Sequence, residues 1–316
     1  MPIADLAFEH RMYLPLACVV ILAVLAANWL CEQVAERQPN LAPFVRQAAP
    51  TVLLLIATAL ACRTYLRNQD YCDPIVFWQK VLAYNPAQGR ACRMLASAYQ
   101  QQGDVRAAQD LLADFVRRYP HDPLPWADYG NLCFQQADFR GAAEKYERAA
   151  QLFPERYVLH LNLSKARLIL HEYPAATAAC RLAVHHAPKN RNAVKQLAWL
   201  LATAPDDSLR NGAEALELIQ SLPAQVIRDL QQIEVLAAAQ AETGHFDAAV
   251  ATAERLVRYA QRAKSKRQAE FAAQLAQYQK QQPWRLSAQD VVQSSQALPA
   301  KSVNEAPAVV VEGTAS

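Results

Sequence analysis

The chain has 316 residues with 32 basic and 29 acidic side chains, and a net charge of +3 is too balanced for a nucleic-acid binder. Seven glycines, against about 22 at average usage, argue against a glycine-rich barrel or a Rossmann-type phosphate loop. Abundant Ala, Leu, Gln, Arg and Glu point to an all-α protein, and 53% apolar content with 19% charge leaves an apolar excess to be placed.

Two segments near the N-terminus hold that excess. Residues 14–31 carry no charge, and as a helix they would measure about 27 Å, close to a hydrocarbon core of about 30 Å. Residues 47–62 are also charge-free, and Tyr65 and Leu66 extend the segment to 66 if Arg63 snorkels. Tyr13, Trp29, Phe44 and Tyr65 sit near the ends, where an interfacial aromatic belt would place them. Residues 32–46 read as a polar loop with Glu32, Glu36, Arg37 and Arg46. The expectation is a two-helix transmembrane hairpin over residues 1–66 (spans 14–31 and 47–66), with the lipid bilayer as a partner. A cleaved secretory signal is disfavoured by Asp5 and Glu9, which spoil its basic start. The second segment also has the length of a buried globular helix. Arg11, Arg63, Arg67 and Lys80 against Arg37 and Arg46 lean weakly towards a cytoplasmic C-terminal portion. The implied location is the bacterial inner membrane, multi-pass, with the side of the remaining chain open.

Beyond residue 70 a period takes over. Pro86, Pro120, Pro154 and Pro188 are spaced by 34 residues each time. Residues 123–156 place Trp126, Gly130, Ala142, Tyr146, Ala149 and Pro154 at positions 4, 8, 20, 24, 27 and 32 of that period. This register resembles the tetratricopeptide (TPR) consensus, in which pairs of antiparallel helices, A and B, stack into an α-solenoid. Residues 89–122 repeat it with Leu95, Ala96, Tyr99, Gly103, Ala108 and Pro120, and residues 157–190 with Leu163, Ala176, Ala183 and Pro188. Residues 70–86 read as a half-repeat. Residues 191–223 keep Leu197, Ala198 and Leu201 but lengthen the turn at 204–208, and residues 197–216 resemble a terminal repeat variant of bacterial TPR proteins. Residues 229–263 form a last pair with Leu236, Ala237, Gly244 and Ala249. The whole solenoid spans 70–263.

The residue types have a packing rationale. Small groups such as Ala108, Gly130, Ala142 and Ala176 let two helices approach, larger ones such as Leu95, Tyr99, Trp126 and Tyr146 fill the seam, and Pro154 and its equivalents end helix B. Residues 264–282 are amphipathic, with Phe271, Leu275 and Tyr278 on one stripe, and read as the capping helix a solenoid requires. Residues 283–316 have little apolar periodicity and read as a disordered tail.

Glu9-His10-Arg11-Met12-Tyr13-Leu14-Pro15, directly before the first apolar run, is similar to a motif late in the membrane portion of a second family. These are the transmembrane-and-TPR O-mannosyltransferase-like proteins, polytopic proteins with C-terminal TPRs. The resemblance covers residues 8–66 and the domain order, and implies the C-terminal part of a transferase using lipid-linked sugars. The chain departs from that family in having two candidate spans where the family has many and in lacking its early acidic loop. No catalytic residue carries over. His10 and Arg11 read as an interfacial anchor in preference to a lipid-phosphate contact.

The seven histidines form no H-E-x-x-H pair, and no P-loop, G-x-S-x-G or C-x-x-C motif occurs. Cys92, Cys133 and Cys180 fall at core positions of the repeat. The expectation is therefore no enzyme, no cofactor and no metal. Repeat positions 2, 5, 9 and 12 of the A helices face the concave side of a TPR solenoid. Here they include Arg90, Arg93, Asn131, Phe134, Lys165, Lys195 and Trp199, a mildly cationic groove suited to an extended peptide with acidic residues. Asp128 and Val158 depart from the carboxylate clamp of chaperone-binding repeats. The functional expectation is a membrane-anchored scaffold for a protein or peptide partner. The rival is a C-terminal fragment of a glycosyltransferase whose repeats recruit the acceptor.

Overall fold

The computed structural model describes residues 73–222 and 229–287, with positions 24–26, 28, 29, 32, 33, 36, 37, 44, 51, 52, 54–60 and 62. Every regular element among the described residues is helical. The chain divides into two compact units, Met1–Gly103 and Asp104–Ser316.

The membrane expectation is corrected. Among the described residues no helix is long and apolar enough to cross a membrane. The transmembrane hairpin, the bilayer as partner and the multi-pass inner-membrane location are therefore not upheld; of the two spans, residues 14–23, 27, 30, 31, 47–50, 53, 61 and 63–66 lie outside the described residues. The second segment shows why a charge-free run misleads. Its 16 charge-free residues would span about 24 Å, short of the hydrocarbon core, and five of them are alanines, with Gln47, Pro50, Thr51 and Thr58 diluting the rest.

The first unit contains α1 (Pro74–Tyr84) and α2 (Gly89–Gln102). Asp73 caps α1 by accepting from the Ile75 amide at 2.8 Å, and Pro74 occupies the first helical position, where its missing N–H costs nothing. The two helices pack together, and Gln79 Nε2 donates to the Tyr99 hydroxyl at 2.8 Å. Gly103, with φ of +85°, ends α2 in the left-handed region.

The second unit contains α3 (Val105–Arg118), α4 (Pro123–Gln135), α5 (Phe139–Leu152), α6 (Tyr157–Ile169), α7 (Tyr173–His186), α8 (Arg191–Thr203), α9 (Gly212–Gln220), α10 (Leu230–Glu242), α11 (Phe246–Arg262) and α12 (Gln268–Gln279). Each helix packs on the next, and α8 also packs on α10. Side chains start many of these helices in the same way. Asp104, Asp122, Asp138, Asn190, Asn211 and Asp229 each accept a backbone amide of the first turn. Ala137 and His171 stand 34 and 68 residues after Gly103 and adopt the same left-handed backbone, with φ of +61° and +60°. The turn geometry repeats although the glycine does not.

The core is built from the small and large residues of the repeat. Ala142, Ala149 and Tyr146 are fully buried, and a β-carbon on Gly130 would stand 2.8 Å from the Tyr146 ring. Beyond α12 the chain reverses at Gln281, with φ of +57°, and residues 283–287 return onto the helices. Leu286 is buried there, and its amide donates to the Thr203 carbonyl at 2.8 Å. The expectation of a tail disordered from residue 283 is thus corrected for 283–287, because an apolar side chain and a backbone donor find partners on α8; residues 288–316 lie outside the described residues.

Candidate functional site

The first helices of successive pairs in the second unit, α4, α6, α8 and α10, are tied together by polar side chains. Asn131 Oδ1 on α4 accepts from the Tyr146 hydroxyl at 2.8 Å and from Asn162 Nδ2 on α6 at 3.4 Å. Gln196 Nε2 on α8 donates to Ser164 Oγ on α6 at 3.0 Å. Lys195 Nζ on α8 donates to Asp229 at the start of α10 at 2.8 Å, and Arg191 reaches the same carboxylate at 3.3 Å and Gln232 at 3.2 Å. Burial opposes ionisation of Asp229, but the Lys195 hydrogen bond and charge outweigh it and hold its carboxyl below the usual range. Buried polar groups bonded across repeats set the register of one helix pair against the next.

The repeat also reproduces one contact in full. Trp126 Nε1 donates to the Pro120 carbonyl at 3.1 Å, and 34 residues later His160 Nε2 donates to the Pro154 carbonyl at 2.7 Å. The acceptor is a carbonyl, so the proton sits on Nε2 of His160. Burial lowers the His160 pKa, the Pro154 carbonyl opposes the shift, and the neighbouring His186 ring adds to it. Because two different side chains make the same bond to the same repeat position, the period is a property of the backbone packing. The tetratricopeptide repeat family matches residues 94–122. These residues carry a tetratricopeptide repeat.

Solved structures agree at the level of fold. YrrB, described as a TPR protein with an unusual peptide-binding site, is 14% identical; the alignment covers 62% of this chain and 97% of YrrB, with a TM-score of 0.52. PilF from Pseudomonas aeruginosa is 19% identical over 66% of this chain and 92% of its own, with a TM-score of 0.51. No curated protein matches the chain. Nothing in these comparisons shows membrane anchoring or a relationship to the O-mannosyltransferase-like family, and residues 9–15 lie outside the described residues.

Within the TPR frame the predicted groove residues fall into three groups. Arg90 is exposed and Arg93 buried, both on α2 of the first unit. Lys165 and Lys195 are buried, the latter bonded to Asp229. Asn131, Phe134 and Trp199 are half-buried. Phe134 and Trp199 pack against one cluster that includes Leu161, Leu197 and Leu201, and Phe134 meets Phe139 edge-on with ring centroids 5.3 Å apart. The two aromatics thus border one extended cluster from different helices, while the lysines lie below the surface. Of the packing residues, Leu95, Ala108, Gly130, Ala142, Tyr146 and Ala176 are buried, Tyr99 and Trp126 half-buried, and Pro154 exposed.

Sequence reasoning missed Asn162, Ser164, Gln196 and Asp229. Asp229 carried a usable signal, because it stands one period after Lys195 with the opposite charge. Asn162, Ser164 and Gln196 carried none, since their partners lie 31 or 32 residues away, off the period. The repeat thiols Cys92, Cys133 and Cys180 are buried: burial pushes the Cys180 thiol up to about 12, and burial likewise raises Cys133. Among the described residues no three histidines, cysteines or carboxylates gather to hold a metal ion.

Proposed function

We propose that this TPR protein is a scaffold that binds a protein partner through an extended peptide laid along the A helices of its second unit. The supporting observation is the half-exposed aromatic pair, Phe134 on α4 and Trp199 on α8, standing beside a row of amides already held by inter-repeat hydrogen bonds. Rigid, pre-ordered groups lose little entropy on binding, so modest contact area yields useful affinity. The A helices line the concave side in this architecture. The likeness to YrrB, a protein described as having a peptide-binding site, supports the same reading.

This reading assigns peptide contact to Asn131, Phe134 and Trp199, with Lys165 beneath them. Lys195 serves instead to hold α10 through Asp229, which weakens the acidic-ligand preference expected from sequence. On the first unit the exposed Arg90 offers a separate cationic contact, whereas Arg93 is buried. An array of random decapeptides probed with the intact chain and with a Phe134→Ala/Trp199→Ala variant tests the proposal. Wild type should select a subset with a shared pattern, and the variant should lose it. Equal binding by both chains, or no selection by either, would overturn it.

A further inference from the structure

The returning segment, residues 284–286, belongs to no repeat and lies on the second unit much as a bound peptide would. Its main chain is held by the Leu286 amide donating to the Thr203 carbonyl at 2.8 Å. Its leucine joins the buried cluster that contains Ala202, Ile219, Leu222, Val235 and Ala239, drawn from α8, α10 and the α9 region. Its arginine, Arg285, donates to Glu242 at 2.6 Å. Trp284 packs against the cluster of Ala237, Ala241, Ala249 and Tyr278.

The receiving surface is built independently of this segment. Glu242 is also bonded to Arg210 at 2.9 Å, and Arg210 in turn donates to the carbonyls of Ala204 and Pro205 at 2.9 and 3.1 Å. Gly212, at the start of α9, allows that helix to sit against Glu242, since a β-carbon there would lie 2.9 Å from Glu242 Cγ. The aliphatic part of Glu242, the last residue of α10, is thereby packed against the first turn of α9, and Arg210 and Arg285 hold its carboxylate. Backbone acceptor, apolar seat and oriented carboxylate are the three components by which extended peptides are recognised.

Two features of the segment point to exchange. It is reached through Gln281, a non-glycine residue in the left-handed region, so opening the reversal relieves backbone strain. The Trp284 indole N–H is buried and finds no acceptor among the described residues, so the segment does not satisfy its own site fully.

We infer that the Thr203–Glu242 surface is a peptide-recognition site, filled in cis by residues 284–286, that accepts from a partner protein an extended aromatic–arginine–leucine segment. The groups that recognise this segment, the Thr203 carbonyl and Glu242, are none of the peptide-contact residues proposed above, although Leu286 shares with Trp199 the cluster at α8. Vacating it in the full chain with Arg285→Ala/Leu286→Ala exposes it to a synthetic, fluorescently labelled peptide of the sequence of residues 282–287. A tethered segment competes at an effective concentration in the millimolar range, so the vacated chain should bind this peptide about tenfold or more tighter than wild type. A peptide with glutamate in place of the arginine should not bind the vacated chain. Circular dichroism checks that the variant keeps its helices; if it does not, Arg285→Ala alone should give a smaller gain. No gain in either variant, or equal binding by wild type, or indifference to the glutamate exchange, would overturn the inference.

Discussion

Replacing Gly130 by alanine sets two effects of opposite sign against each other. Alanine is favoured over glycine inside a helix by about 1 kcal/mol. The added β-carbon, however, would lie 2.8 Å from both Cδ1 and Cε1 of Tyr146 and 3.2 Å from its Cγ, well inside van der Waals contact. That ring is fully buried among Cys133, Ala142, Leu163 and Ala166, and its hydroxyl is fixed by Asn131 at 2.8 Å, so it cannot swing aside freely. Overpacking of this kind costs about 1–3 kcal/mol, and strain at the upper end of that range leaves a net loss of about 1–2 kcal/mol. Urea unfolding followed by circular dichroism at the helical minimum measures it. The decisive control is Gly130→Ala in a Tyr146→Ala background, where the obstructing ring is gone and the same change should stabilise by about 0.5–1 kcal/mol. If Gly130→Ala stabilises the wild-type chain as much as the ring-deleted one, the steric reasoning is wrong.

Ala137→Gly should stabilise the second unit by roughly 0.5–1 kcal/mol, because φ of +61° strains any β-carbon; an unchanged melting temperature would contradict this. Arg267→Leu should destabilise the contact between α10 and α12 by about 3–5 kcal/mol, since it strips the buried Glu234 of bonds at 2.7 and 3.0 Å, and faster hydrogen exchange over residues 268–279 reports it. Burial already raises the Glu234 pKa against the pull of Arg267, so Glu234→Gln should recover part of the loss in that background. Lowering the pH should weaken the fold through His160. Its folded pKa lies below the ordinary histidine value of 6.5, so on acidification the unfolded chain takes up the proton first, and stability falls from about pH 6.5 down through the lowered value. The drop in melting temperature on going from just above to about one unit below that ordinary value should be smaller for His160→Gln, and an equal drop would exclude His160 as the cause.

The helical class and the 34-residue period were legible in the chain because both are local. Helix formers, capping Asp and Asn residues, small groups at fixed offsets and prolines past each second helix act within one helix pair, and stacking repeats the same offsets. Gly130 beside Tyr146 is such a case, because a pair of residues 16 apart meets wherever the helix–turn–helix closes. The membrane reading failed for a related reason. Absence of charge is a local property, whereas crossing a bilayer needs sustained length and hydropathy, which the alanines and polar residues of the second segment do not provide.

What lay beyond reach was set between repeats. Lys195 and Lys165 share periodic positions with groove-facing side chains, yet they are buried, since exposure depends on how closely the neighbouring helix pair approaches. The Asn131–Asn162 and Ser164–Gln196 bonds depend on axial offset between adjacent helices, which no spacing encodes. The return of Leu286 to Thr203 joins residues 83 positions apart, and only the assembled surface of α8, α9 and α10 creates the seat it fills. Periodicity thus determined which helices form and how each pair closes, while the stacking of pairs decided which polar groups were buried, partnered or left facing solvent.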